Sequence, residues 1–381
     1  MIPYGRQDIS EDDIRAVEAV LRSDFLTQGP AVPGFEDAIA RRTGATHAVA
    51  VNSATSALHI ACMALGVGPG DLLWTVPNTF VASANVGLYC GADVDFVDID
   101  PDTYLMCPKA LAEKLAQAAQ AGRLPKVIIP VHYAGQTADM AAIGALARAH
   151  GVRVIEDASH SIGASYRGAA VGGCAHSDIT VFSFHPVKII TTAEGGCATT
   201  NDAELARRMV LARSHGVTRD TAQMQNADDQ GAWYYEQIAL GYNYRMTDMQ
   251  AALGLSQMAR LDDFIARRHI LARRYDLLLQ DLPLVRPVQS PDSYSALHLY
   301  PVQVQDRARV FAALRTDGIG VNVHYIPVHT HPFWRAKGFD WGMFPVAEAF
   351  YHRAISLPLH SRLSEADQDQ VVGALTRALT A

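Results

Sequence analysis

The chain lacks long hydrophobic runs. No apolar stretch in its 381 residues approaches the about 18–20 needed to cross a bilayer. Met1-Ile2-Pro3-Tyr4-Gly5-Arg6-Gln7-Asp8 has none of the apolar content of a signal peptide. Positive charge is also scarce: 32 Lys and Arg stand against 39 Asp and Glu, a net charge of −7. That balance provides no basic field for nucleic acid, so an anionic ligand must be held by local donors. The cysteines Cys62, Cys90, Cys107, Cys174 and Cys197 are odd in number and form no Cys-x-x-Cys pair. They read as reduced thiols of a cytoplasmic protein, with neither a disulfide framework nor a metal site. Repeats and low-complexity tracts are absent too.

What is present is ordinary globular material, 49% hydrophobic and 19% charged, long enough for two domains with sizeable cores. Ser10 followed by Glu11-Asp12-Asp13 and spaced apolar residues predicts a capped amphipathic helix, with Asp13 completing a capping box. Residues 24–34, with Gly29, Pro30, Pro33 and Gly34, read as loop. Strand and helix patterns then alternate: strands over 47–51, 72–76, 94–97, 126–131, 152–155 and 180–184, with helices over 55–65, 81–90, 109–121 and 140–150. This βα alternation predicts an α/β fold with a mostly parallel central sheet flanked by helices. Ligands of such sheets bind outside the strand carboxyl ends. One long helix is expected over 247–279. A smaller C-terminal α+β domain follows, with strands at 296–304 and 321–325 and helices at 307–316, 346–355 and 365–379. We divide the chain into an N-terminal arm and large domain, 1–250, and a linking helix with a small domain, 251–381.

Two apolar runs end in a charged group. Val154-Ile155-Glu156-Asp157 delivers an acid, and Val181 to Lys188 delivers an amine. Pyridoxal phosphate needs such a pair. The amine bonds covalently to its aldehyde, and the acid keeps its pyridine nitrogen protonated. A lone lysine is most often a surface residue, and a lone aspartate after a strand is often a helix cap. Successive strand side chains face opposite ways, so only one of Glu156 and Asp157 can meet the ring. His160 has two readings, a hydrogen bond near the cofactor's phenolic oxygen or a structural partner for the acid. Asn52 to Ala57 places small hydroxyl residues at a strand-to-helix turn, where the Ala54 and Thr55 amides and the Thr55 hydroxyl suit a phosphate. The same run also suits a plain helix cap. Ser183 adds a further hydroxyl. Phe80 can stack on a pyridine face or simply fill core.

These segments together resemble the DegT-type nucleotide-sugar aminotransferases, which are fold-type-I pyridoxal phosphate enzymes. The resemblance runs through nearly the whole chain, from Pro3-Tyr4-Gly5-Arg6 and Leu26-Thr27-Gln28-Gly29-Pro30 to Glu156-Asp157-Ala158-Ser159-His160 and Ser183-Phe184-His185 with Lys188. It continues through Glu194-Gly195-Gly196, Arg213-Ser214-His215-Gly216, Gly241-Tyr242-Asn243-Tyr244-Arg245 and Val323-His324-Tyr325. Within the family, the likeness is closest to enzymes that aminate a UDP-linked 4-keto-6-deoxy-N-acetylhexosamine of altrosamine type for pseudaminic acid. It implies pyridoxal 5′-phosphate as cofactor, L-glutamate as amino donor and Lys188 as catalytic residue. It also implies a homodimer with shared sites, in which Asn243 reaches the neighbouring subunit's cofactor phosphate. Tyr4, Asp24, Phe25, Leu26, Thr27, Val323, His324, Tyr325 and Ile326 match positions around the nucleotide sugar. Amination of another nucleotide keto-sugar, dTDP- or UDP-linked, 4-keto or 3-keto, is the alternative. Family members that dehydrate carry histidine at the lysine position, so Lys188 argues against that chemistry. Asn78 departs from the pattern, because close relatives carry a hydrophobic residue there.

Overall fold

The computed structural model describes residues 1–226 and 231–380. Its centre is a seven-stranded sheet: β1 (His47–Val51), β2 (Leu72–Thr75), β3 (Asp93–Phe96), β4 (Val127–Ile128), β5 (Arg153–Asp157), β6 (Ile179–Ser183) and β7 (Gly196–Thr200). The spatial order is β1-β7-β6-β5-β4-β2-β3. The four pairings from β6 to β3 are parallel, whereas β7 runs antiparallel to both β6 and β1. The sheet is therefore mixed, with one reversed strand, on an otherwise parallel α/β frame. Helices cover both faces, so β6 and β7 are buried along their whole length. Strands buried on both sides read as continuous apolar runs, which is why β6 was legible without alternation, whereas β7, with a glycine and two threonines, was not expected as a strand. Trp74, Phe96, Tyr133 and Phe182 are among the largest side chains of this interior.

The N-terminal helix α1 (Glu11–Leu21) carries the expected capping box between Ser10 and Asp13. The loop expected over 24–34 is shorter than expected, because α2 (Ala31–Thr43) begins inside it. Pro30 stands before its first turn, and the Asp248 carboxylate accepts from the Ala31 and Gly29 amides. A distant side chain thus caps that end, and local sequence did not reveal it. Helices α3 (Ala54–Ala64) and α4 (Ala82–Tyr89) follow β1 and β2.

The single helix expected over 247–279 is two: α5 (Asp248–Met258) and α6 (Leu261–Leu278). Neither glycine nor proline marks the break. The turn tightens at Ala259 and Arg260, whose amides reach back only three residues. The Arg260 guanidinium is meanwhile held by the Asp8 carbonyl at 2.9 Å and the Asp13 carboxylate at 2.6 Å. Tertiary ion pairing bends the chain there, against good local helix propensity.

A second apolar cluster gathers Leu271, Tyr275, Tyr300, Val310, Leu314, Leu357, Val371 and Leu375. Around it, β8 (Tyr300–Gln303) pairs antiparallel with β9 (Ala354–Leu357). The helix expected over 346–355 ends at Arg353, and its last residues turn into β9. No regular strand forms over 321–325, only a bridge from Asn322 to Ser356. Side chains take the amides there: Val323 donates to the Asn322 side chain and Tyr325 to Asn78. No helix among the described residues is long and apolar enough to cross a membrane.

Candidate active site

Asp157 ends β5 at the carboxyl edge of the sheet, beside Val181 of β6. Two serine hydroxyls hold its carboxylate, Ser83 and Ser159, each at 2.6 Å. Ser83 lies on α4 and could not be picked out from spacing; Ser159 sits two residues on, within the quoted motif. Glu156 points to the opposite face, where it meets the His132 ring at 2.8 Å. As strand alternation requires, the two acids face opposite ways, and only Asp157 lines the cavity.

Lys188 is not at a strand end but in the excursion joining β6 to β7. The Phe184 carbonyl closes that excursion by accepting from the Thr192 amide and the Thr191 hydroxyl. Its half-buried side chain lines a cavity of about 590 Å³. Burial pushes the amine down to about 8, against a smaller opposing pull from Asp157. About one-tenth of such amines are neutral at pH 7, so a proton-accepting form is within reach.

The turn from β1 into α3 provides the anion cradle. Ser53 caps the helix, accepting from the Ser56 amide at 3.1 Å, and leaves the Ala54 and Thr55 amides at the helix start. Gly196, paired with both Val51 and Ser183, lies against this turn. A Cβ there would stand 2.5 Å from the Ala54 nitrogen and the Ser53 carbonyl. Only glycine lets β7 approach, and that approach brings the Ser183 end of β6 beside the cradle.

The same cavity is lined by Tyr4, Ala54, Thr55, Phe80, Asp157, His160, Ser183, Lys188, Val323, His324 and Tyr325, all expected from sequence. His160 accepts from the Ala134 amide at Nδ1, which leaves Nε2 facing the Tyr325 hydroxyl at 3.1 Å. Burial, reinforced by the Lys188 charge, holds His160 well below its ordinary pKa. His324 is pushed down to about 3 by the same two causes. His160 and His324 are therefore neutral hydrogen-bonding groups. Phe80 is exposed at the rim, with its ring 6.3 Å from that of Tyr325. Asn78 is buried and ties the Tyr104 carbonyl to the Tyr325 amide, which secures the Tyr325 segment.

Asp24, Phe25, Leu26, Thr27 and Ile326 are exposed and lie outside this cavity. Asn243 is also exposed and outside it, although its carbonyl accepts from Asn52 next to the cradle. His298 and Glu194 line the cavity without having been singled out. Glu194 belongs to a quoted motif, whereas His298 has no local signal and arrives through tertiary folding.

An amine, a serine-held acid and a helix-start anion cradle around one cavity suit a phosphorylated pyridine aldehyde. The family pattern of the DegT/DnrJ/EryC1/StrS aminotransferases matches residues 7–376.

This chain belongs to that aminotransferase family.

It is 40% identical over 383 residues to the spore coat polysaccharide biosynthesis protein SpsC of Bacillus subtilis, covering 98% of this chain and 96% of that one. Among solved structures it resembles a putative sugar aminotransferase from Streptococcus pneumoniae in its PMP form. The two are 31% identical with TM-score 0.92, over 100% of this chain and 99% of that one. It also resembles Helicobacter pylori PseC, an aminotransferase involved in pseudaminic acid biosynthesis, at 32% identity and TM-score 0.91, with 100% and 99% covered. As a sugar aminotransferase of this family, the chain folds as a fold-type-I enzyme.

Proposed function

We propose that this aminotransferase transfers the amino group of L-glutamate to the C4 ketone of a UDP-linked 4-keto-6-deoxy-N-acetylhexosamine of altrosamine type, as a step toward pseudaminic acid. One observation carries the chemistry: a lysine amine lowered to about 8 shares a cavity with a serine-held aspartate. The choice of sugar is supported by the likeness to PseC over the whole chain.

The cofactor is pyridoxal 5′-phosphate, which supplies an aldehyde to carry the amino group and a ring that accepts electrons. Lys188 would hold it covalently and, as a free amine, would take the proton from the donor's α-carbon. Burial favours that role because it keeps the free amine close to neutrality. Asp157 keeps a proton on the pyridine nitrogen, and its two serine partners keep the carboxylate aimed. The Ala54 and Thr55 amides with Ser183 bind the phosphate at the helix start. His160 would hydrogen-bond to the cofactor's phenolic oxygen, and Phe80 would stack on its ring.

Tyr4, the Asp24–Thr27 segment and Val323–Ile326 surround the nucleotide sugar. In this reading, the exposed residues among them and Asn243 serve a site shared across a cytoplasmic homodimer. The division at residue 250 belongs to the same reading; the second apolar cluster, which begins at Leu271, gives the C-terminal part a core of its own. The test is a panel of UDP- and dTDP-linked 4-keto and 3-keto sugars with L-glutamate, with products identified by mass spectrometry. The UDP-linked 4-keto-6-deoxy-N-acetyl sugar should be aminated with the highest kcat/KM; a dTDP-linked or 3-keto substrate that surpasses it refutes the assignment.

A further inference from the structure

His298 belongs to none of the recognised motifs, yet its ring stands in the cavity wall with Lys188. It is carried by the segment leading into β8, which folds against Gly135. The Ala296 amide donates to the Gly135 carbonyl at 3.0 Å, and the Leu299 amide to the Ala134 carbonyl. Gly135 has φ 101°, and a Cβ there would come within 2.8 Å of the His298 nitrogen. The fold thus uses a glycine to press His298 toward the site.

Four imidazoles line the cavity; His185 is exposed, and the three enclosed ones differ in their commitments. Both His160 nitrogens are engaged, by the Ala134 amide and the Tyr325 hydroxyl. Both His324 nitrogens are engaged too, by Ser356 and Asn322. His298 Nδ1 is buried and has no partner, although its ring lies only 4.3 Å from that of His160. Nδ1 is enclosed, so Nε2, which makes no hydrogen bond among the described residues, is the ring nitrogen left to the cavity. Behind His298 stands Arg268, buried on α6, whose guanidinium reaches the carbonyls of Leu297, His298 and Leu359. No carboxylate pairs with it among the described residues. A positive charge in a poorly screened interior therefore backs an unpaired ring.

A carboxylate, which accepts hydrogen bonds and carries negative charge, complements that arrangement. The amino donor brings one on the carbon that bears its reacting nitrogen, so the carboxylate lands beside the Lys188 amine. No arginine lines the cavity. We infer that His298 binds the α-carboxylate of the amino donor through its ring N–H, with Arg268 as the positioning charge behind it. This inference rests on the proposed use of L-glutamate.

The experiment uses the holoenzyme and α-methyl-L-glutamate, which has no α-proton to lose. Its Kd is read from the change in visible absorbance. The second half-reaction, from the amino-loaded enzyme to the keto-sugar, is timed separately in single turnovers. His298→Phe keeps the ring volume but removes both nitrogens, and it should weaken α-methyl-L-glutamate about 10- to 100-fold. The keto-sugar half-reaction should change less than about threefold, and His298→Asn, which restores an N–H, should recover most of the affinity. His298→Leu replaces the Phe variant if thermal melts show that variant unfolded. A wild type that ignores α-methyl-L-glutamate overturns the donor reading and this inference with it. A wild type that binds it, with variants that bind equally well or lose both half-reactions equally, overturns the inference alone.

Discussion

Replacing Lys188 with methionine should make the cofactor-free protein more stable while abolishing turnover. Burial lowers the lysine from 10.5 to about 8, so folding with a charged amine costs free energy that an apolar side chain of similar length avoids. By linkage, that displacement corresponds to ~3 kcal/mol at neutral pH. The side chain is half-buried and borders an open cavity. Screening by cavity water reduces the expected gain to ~1–3 kcal/mol. The sign with pH follows from proton counts. Below pH 8 both folded and unfolded chains hold the lysine proton, so the cost is present in full. Between about 8 and 10.5 the unfolded chain binds more protons than the folded one, and the wild type recovers stability as pH rises. The gain of Lys188→Met should therefore be largest at pH 7 and fade toward pH 10. Urea melts of both proteins, freed of cofactor, measure it at the two pH values. A variant no more stable than wild type at pH 7, or a gain unchanged at pH 10, would refute the reasoning.

Three further outcomes follow from contacts elsewhere. Asp157→Ala removes the acid between Ser83 and Ser159 and should lower kcat by about 10²–10³, measured in steady state with the fold checked by circular dichroism. Gly196→Ala drives a Cβ into the Ser53 and Ala54 backbone, so it should cost ~1–3 kcal/mol and raise the Kd for pyridoxal phosphate about tenfold or more, read by titrating the apoenzyme. Arg260→Leu strips a cation from buried Asp13, whose pKa falls despite its burial because Ser256, Ser10, Gln257 and Arg260 favour the carboxylate. The loss, ~1–3 kcal/mol in urea melts at pH 7, should shrink as pH falls below the ordinary carboxylate range, where Asp13 is protonated and Arg260 has no charge to meet.

Much of the sheet was legible because strands buried on both faces must be apolar throughout, and the helices between them carry their own caps. Ser10, Ser53 and Thr247 each announce a helix start by local chemistry that tertiary contacts do not alter. Boundaries were lost where distant groups compete with local preference. Asp248 draws α2 forward into a proline-rich loop, Arg260 breaks a helix of good helix formers, and Asn78 and Asn322 take amides that a strand would have used. The strand β7 had no local signal, because Gly196-Cys197-Ala198-Thr199-Thr200 lacks the apolar run that marks a buried strand.

The sequence alone determined the chemistry at hand, because an amine and an acid at the ends of two apolar runs, with a hydroxyl-rich turn, are covalent facts of the chain. Ligand reach and electrostatics were decided only by the tertiary structure. Folding lowers Lys188 by excluding water, holds Asp157 with a serine from another helix, and leaves His298 unpartnered in front of Arg268. Those effects depend on distance and dielectric between residues far apart in the chain, which no local pattern encodes.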